Sequence, residues 1–184
     1  IFVGLRVASV RDNQKDTSQN TTTAKPASPT DFNKQKFSIT SPASQWVVVN
    51  KERPLNPKSY VPSDLAFPEI VLRRGSGSGD MQLKKETAKA LEEMSAAAKK
   101  ADLSIMLASG YRSYQVQTSV YGSEVARFGE AIASMESARP GYSEHQTGFA
   151  ADLTPSSGQC VIADCFANTP EGKWLAKNAY KFGF

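Results

Sequence analysis

The sequence predicts an α+β domain, a small sheet with flanking helices, behind a polar N-terminal tail. Three observations lead to this class. Strand-like and helix-like patterns are interspersed without regular strand–helix–strand repeats. At 184 residues, 40% of them apolar and 22% charged, the chain is long enough for one ordinary core. Finally, composition changes near residue 36. From about Ala8 to Gln35 the chain is Asn, Thr, Ser, Lys, Asp and Pro with almost no large apolar side chain, and such a stretch cannot bury enough surface to order itself. The expected division is therefore 1–36 as tail and linker and 37–184 as the folded domain.

The tail opens on Ile1-Phe-Val-Gly-Leu5, an apolar stub before Arg6, which reads as the remnant of a signal peptide or membrane anchor, or as an arbitrary boundary. Order is expected to begin at Trp46-Val-Val-Val49, a β-branched run ended by Asn50 and the turn region of Pro54 and Pro57. Gly75-Ser-Gly-Ser-Gly79 is a flexible break, after which Asp80 is expected to cap a helix to about Lys100. Leu83, Leu91, Met94 and Ala98 lie near one face of it. Leu103 to Ala108 reads as a buried strand ended by Gly110, and a second helix follows from about Ser113 to Phe128. A short helix spans about Glu130 to Ser137, and Phe149 to Leu153 reads as a strand. Thr169-Pro170 supplies the cap and first position of a last helix that runs through Trp174 and stops at Gly183.

The excess of 22 basic over 18 acidic side chains suits an anionic wall or membrane surface. It is too small and scattered to indicate nucleic-acid binding. Cys160 and Cys165 are the only cysteines, five positions apart in a Ser-, Gly- and Asn-rich stretch. That spacing favours a small disulfide loop over two free thiols, and with it an oxidising, extracytoplasmic compartment.

Chemistry concentrates in Ser143-Glu-His-Gln-Thr-Gly-Phe-Ala-Ala-Asp152. In strand geometry Phe149, Ala151 and Leu153 share one face, while Gly148, Ala150 and Asp152 share the other. The first face is apolar; the second lacks bulk and ends in a carboxylate. A loop histidine before such a strand can direct an imidazole and a carboxylate to one point, with room left for a metal and a substrate. A lone His near a lone Asp is more often an ordinary surface or core pair. Here, however, the chain satisfies Ser-x-His-x-x-Gly-x-Ala-x-Asp at all five fixed positions.

On that pattern the chain resembles the zinc D-alanyl-D-alanine carboxypeptidases of the VanY type, together with the related LdcB-type L,D-carboxypeptidases that trim peptidoglycan stem peptides. Ser109-Gly-Tyr-Arg-Ser-Tyr-Gln-Val-Gln117 is similar to the family's substrate motif, and Ala138-Arg-Pro-Gly141 to the lead-in to its metal motif. Trp46 to Leu65 is similar to its opening strand and Pro-rich turn. The resemblance implies the hedgehog/D-Ala-D-Ala peptidase fold, with zinc (Zn2+) bound by His145 and Asp152. It also implies that Arg112 and Gln117 hold the substrate's peptide and terminal carboxylate, which a guanidinium fork can grip bidentately. Ser143 could contact substrate or cap the turn before His145, and the first is favoured. Glu144 reads as a solvated carboxylate. The implied partners are stem peptides, with no nucleic acid, and membrane contact only through an N-terminal anchor. The expected protein is an extracytoplasmic monomer, secreted or anchored at the cell envelope.

A catalytic zinc takes three protein ligands, and hydrolysis needs a base to activate water. The chain has a single histidine. In the family a Glu-x-x-His element supplies the base and the third ligand beyond the stretch that here occupies Trp174 to Phe184. The expectation is thus a chain cut before that element, inactive as it stands and without a catalytic base of its own. A serine penicillin-binding enzyme is disfavoured because no Ser has Lys three positions on. A Ser143, His145 and Asp152 triad is disfavoured because two such neighbours rarely meet productively. The stronger rival is a noncatalytic wall- or zinc-binding module of the same fold. The sequence leaves D,D- against L,D-specificity open.

Overall fold

The structure, a computed structural model, describes Leu5–Arg6 and residues 37–184. The expected anchor and linker therefore lie outside the described residues, apart from Leu5 and Arg6. In chain order the elements are β1 (Leu5–Arg6), β2 (Leu65–Ala66), β3 (Val71–Leu72), β4 (Leu83–Lys84), α1 (Lys85–Lys99), β5 (Ile105–Ser109), α2 (Tyr114–Glu136), β6 (Ala150–Pro155) and α3 (Pro170–Asn178). One sheet has the order β1-β6-β5-β3, with β3 parallel to β5 and the other pairs antiparallel; β2 and β4 form a separate ribbon. This is the small-sheet α+β arrangement expected.

The core lies where α1 and α3 meet the sheet. Leu91, Met94 and Ala98 of α1 pack with Leu83, Ile105, Leu107, Ala151 and Leu153, and Leu175 and Ala179 join from the C-terminal end. Burying those side chains contributes roughly 1.5–3 kcal/mol for each large one. Among the described residues no helix is long and apolar enough to cross a membrane.

Two boundaries depart from expectation. Helix α1 starts at Lys85 rather than Asp80, because Leu83 and Lys84 are held extended in a ladder with Ala66 and Leu65. Trp46–Val49 forms no strand. Val47 and Val49 are instead buried with Leu55 and Phe149, and the chain then folds back through reciprocal bonds between Asn50 and Arg53. Burial suits those β-branched side chains on this irregular segment. The two helices expected over 113–128 and 130–137 are present as the arms of α2, broken at Gly129 (φ 80°, ψ 159°). Ser113 caps the first arm by accepting from the Val116 N–H. The arms fold back on each other, since Tyr121 Oη lies 2.6 Å from Ser134 Oγ. In a straight helix those residues would be about 20 Å apart.

At the C-terminal end Thr169 caps α3 through the Gly172 N–H and Pro170 takes the first position, as expected. Cys160 and Cys165 are joined in a disulfide, also as expected.

Candidate metal and substrate site

The site is organised by a single 3-10 turn, Glu144–Thr147, that follows Ser143 and ends at Gly148. Gly148 has φ +76°, a conformation that side chains with a Cβ rarely adopt, and an added Cβ would lie 2.9 Å from Lys84 Cγ. Two of the three residues that the sequence motif leaves unspecified within the turn, Gln146 and Thr147, are what hold it. Gln146 is fully buried and donates from Nε2 to the carbonyls of Lys58 (2.6 Å) and Tyr60 (3.0 Å), tying the turn to the Pro-rich segment. Thr147 Oγ1 donates to the Glu144 carbonyl and accepts from the Phe149 N–H. A polar residue in a loop carries no local mark of burial, so neither role was visible in the sequence.

His145 leaves this turn with its ring fixed. Nδ1 lies 2.7 Å from the Gly110 carbonyl oxygen, which can only accept, so Nδ1 carries the proton and Nε2 presents a lone pair. Gly110 is itself packed tightly: its N–H donates to the Asp80 carbonyl, and a Cβ there would come within 2.4 Å of the Gln82 carbonyl oxygen. His145 Nε2 faces Asp152 Oδ2 at 3.4 Å, with both side chains 16% exposed. In the neutral ring this lone pair faces a carboxylate, an arrangement that a cation held between them would satisfy. Two donors of a tetrahedral zinc with bonds near 2.0–2.1 Å stand about 3.3–3.4 Å apart, so the donor types and their separation fit that metal. Among the described residues no group of three or more His, Cys, Asp or Glu side chains converges.

A bulge brings the rest of the site to this pair. Leu107 of β5 faces Leu153 of β6, yet Ser109 faces Asp152, so one extra residue is accommodated on β5. Such bulges re-aim the chain beside them. Here Ser109 and the following residues come alongside the carboxylate, and the Arg112 N–H donates to the His145 carbonyl (3.1 Å).

The Arg112 guanidinium is half-buried and oriented by neutral oxygens: Nη1 donates to Gln117 Oε1 (3.2 Å) and Nη2 to Ser109 Oγ (3.3 Å). Among the described residues no carboxylate pairs with it. Gln117 is only 1% exposed, and its amide also donates to Ser137 Oγ and to the Ala138 carbonyl. Its side chain thus faces the second arm of α2 as well as Arg112. Gln117 and Tyr121 lie on one face of the first arm, which packs against Ser134 and Ser137. Ser143 is 5% exposed and its hydroxyl makes no capping bond to the turn, which leaves it available.

Two phenols lie close by. Burial raises the pKa of Tyr111 above the ordinary phenol value, and Tyr60 adds to the effect. Burial likewise raises that of Tyr60, with Lys84 opposing and Asp64 reinforcing the shift. Both stay protonated at neutral pH.

The VanY family model, described as D-alanyl-D-alanine carboxypeptidase, matches residues 80–184, more than half of the chain. A putative carboxypeptidase, YodJ, of Bacillus subtilis (strain 168) is 40% identical over 146 residues, 79% of this chain and 53% of that protein. An enterococcal D-alanyl-D-alanine carboxypeptidase (Enterococcus faecium) is 30% identical over 75% of this chain and 42% of its own length. The chain thus spans about half the length of the curated relatives it matches. Among solved structures, the LdcB LD-carboxypeptidase superposes with a TM-score of 0.74 at 39% identity, covering 77% of this chain and 66% of that one. VanYB in complex with D-alanine-D-alanine does so at 0.55 and 26%, covering 74% and 71%.

Proposed function

Since the chain belongs to the VanY family of D-alanyl-D-alanine carboxypeptidases, we propose that it serves a zinc-dependent carboxypeptidase that removes a C-terminal D-Ala from peptidoglycan stem peptides. The observation that carries this reading is the Arg112 guanidinium, oriented by Gln117 and Ser109, without an acid beside it among the described residues, and bonded through its backbone to the residue that carries the imidazole. A carboxypeptidase must bind a free carboxylate, and a preorganised guanidinium does so with charge-assisted bonds.

In this reading His145 Nε2 and Asp152 Oδ2 hold zinc, while the Gly110 carbonyl keeps the imidazole in the tautomer that offers Nε2. Bound there, zinc would supply Lewis acidity toward the scissile carbonyl and lower the pKa of the attacking water. Arg112 takes the terminal carboxylate, Gln117 and Ser109 aim it, and the Ser143 hydroxyl bonds the peptide. Two donors fall short of the three a hydrolytic zinc takes, so a third donor and a base would have to come from outside the described residues. The polypeptide 1–184 by itself is accordingly expected to bind zinc weakly and to hydrolyse poorly. The disulfide supports an extracytoplasmic setting, because such bonds persist in oxidising compartments.

The shortage of donors also favours a second reading, a noncatalytic module that binds wall peptides through Arg112. One experiment separates the two: the full-length protein is incubated with zinc and stem peptides ending in L-Lys-D-Ala or D-Ala-D-Ala, and free D-Ala is measured with and without chelator. Release that chelator stops supports the hydrolase, and the preferred peptide assigns L,D- or D,D-specificity. Peptide binding without release, lost when the C-terminus is amidated, identifies the binding module. Release that chelator leaves untouched overturns the zinc reading.

A further inference from the structure

The 143–152 segment meets a second cation that the site above does not use. Lys84, at the end of β4, has a side chain only 9% exposed, which is rare for lysine. Its ammonium lies 3.1 Å from Asp64 Oδ1 and 5.1 Å from the centroid of the Phe149 ring. Its backbone N–H donates to the Gly148 carbonyl at 3.0 Å, and its Cγ sits where a Gly148 side chain would begin. The same backbone is held from the other side, because Lys84 pairs with Leu65 and the Lys85 N–H donates to the Asp64 carbonyl. Lys84 therefore grips both Gly148 and Phe149, and Phe149 begins the run into β6.

Those two residues are the joint between the turn that carries His145 and the strand that carries Asp152. Any change of backbone direction at the joint alters the 3.4 Å separation of Nε2 and Oδ2. Stability alone does not call for the charge, since a buried ion pair is often no better than an apolar side chain of similar volume. We propose that Lys84, through its ion pair with Asp64 and its contact with the Phe149 ring, is a positioning residue that sets the spacing of the two metal donors. This rests on the zinc reading of His145 and Asp152.

The single histidine makes a direct test possible, because every imidazole 15N signal belongs to His145. Zinc is titrated into the full polypeptide while those signals and the thermal midpoint are followed. Lys84→Met keeps the stem beneath Gly148 and removes the ammonium; Phe149→Leu keeps an apolar side chain and removes the ring. Both are expected to raise the zinc midpoint about tenfold, at the lower end of the range for residues supporting metal ligands, and to weaken the preference for the Nδ1–H tautomer. Lys84→Arg should restore the midpoint. Midpoints within twofold of wild type in the folded variants overturn the proposal, as does a loss that follows the thermal midpoint and is not rescued by Arg. If Lys84→Met fails to fold, Phe149→Leu decides by the same criteria. If wild-type His145 signals do not respond to zinc at all, the zinc reading fails, and this inference with it.

Discussion

Arg112 and Lys84 are both basic residues bonded to the 143–152 segment by their backbones, and their surroundings differ in one respect. Both N–H groups donate to carbonyls of that segment, Arg112 to His145 and Lys84 to Gly148. Around Arg112 the structure places an amide oxygen and a hydroxyl; around Lys84 it places a carboxylate and an aromatic face. Neutral acceptors orient a charge and leave it attractive to an incoming anion, whereas an ion pair largely neutralises it. The contrast marks Arg112 as the group that meets a ligand and Lys84 as one that holds structure, although their formal charges are the same.

The harshest way to break the comparison is to remove the group that both would serve. His145→Ala should abolish site-specific zinc binding, a weakening of more than about 100-fold by calorimetric titration, because a single carboxylate cannot hold the ion. Zinc that still bound with wild-type affinity would show that neither cation flanks a metal site. Arg112→Ala is expected to keep the zinc midpoint within about twofold while weakening peptides with a free C-terminal carboxylate by about 10- to 100-fold, as for a lost charge-assisted bond. Peptide amides should bind the variant and the wild type alike, and competition by the two peptide forms reads this directly.

A subtler change gives Arg112 the kind of partner Lys84 has. Gln117→Glu places a carboxylate 3.2 Å from Nη1, in the present position of Oε1, and should reduce carboxylate binding about tenfold by satisfying the guanidinium internally. It also removes the donor to the Ala138 carbonyl, so a stability loss of about 1–3 kcal/mol is expected in denaturant melts. Unchanged peptide affinity in the folded variant would refute the idea that an unneutralised charge is what matters. The smallest effect on the site belongs to the Cys160–Cys165 bridge, which closes a loop after β6 and touches neither cation. Reduction should lower stability by about 2 kcal/mol and leave zinc and peptide midpoints within twofold. A larger shift in either midpoint would mean that the loop supports the donors.

The sequence by itself determined the parts whose signal is local. Helix starts followed from Ser113, Thr169 and Pro170, the two arms of α2 from the helices expected on either side of residue 129, and the disulfide from two cysteines five positions apart. The convergence of His145 and Asp152 was legible because a loop imidazole precedes a strand whose open face ends in a carboxylate, and the structure does bring the two within 3.4 Å. Tertiary structure decided everything that depends on which distant group faces which. The β5 bulge sets Ser109 opposite Asp152, and the Gly110 carbonyl selects the tautomer of a histidine 35 positions later. Gln117 is held between Arg112 and the Ala138 carbonyl because α2 folds back, and Leu83 and Lys84 leave the expected helix because β2 pairs with them. A residue's type sets what it can donate, accept or bury, but its partner is chosen only when segments far apart in the chain pack together, and that choice leaves no period or cap in the sequence to read.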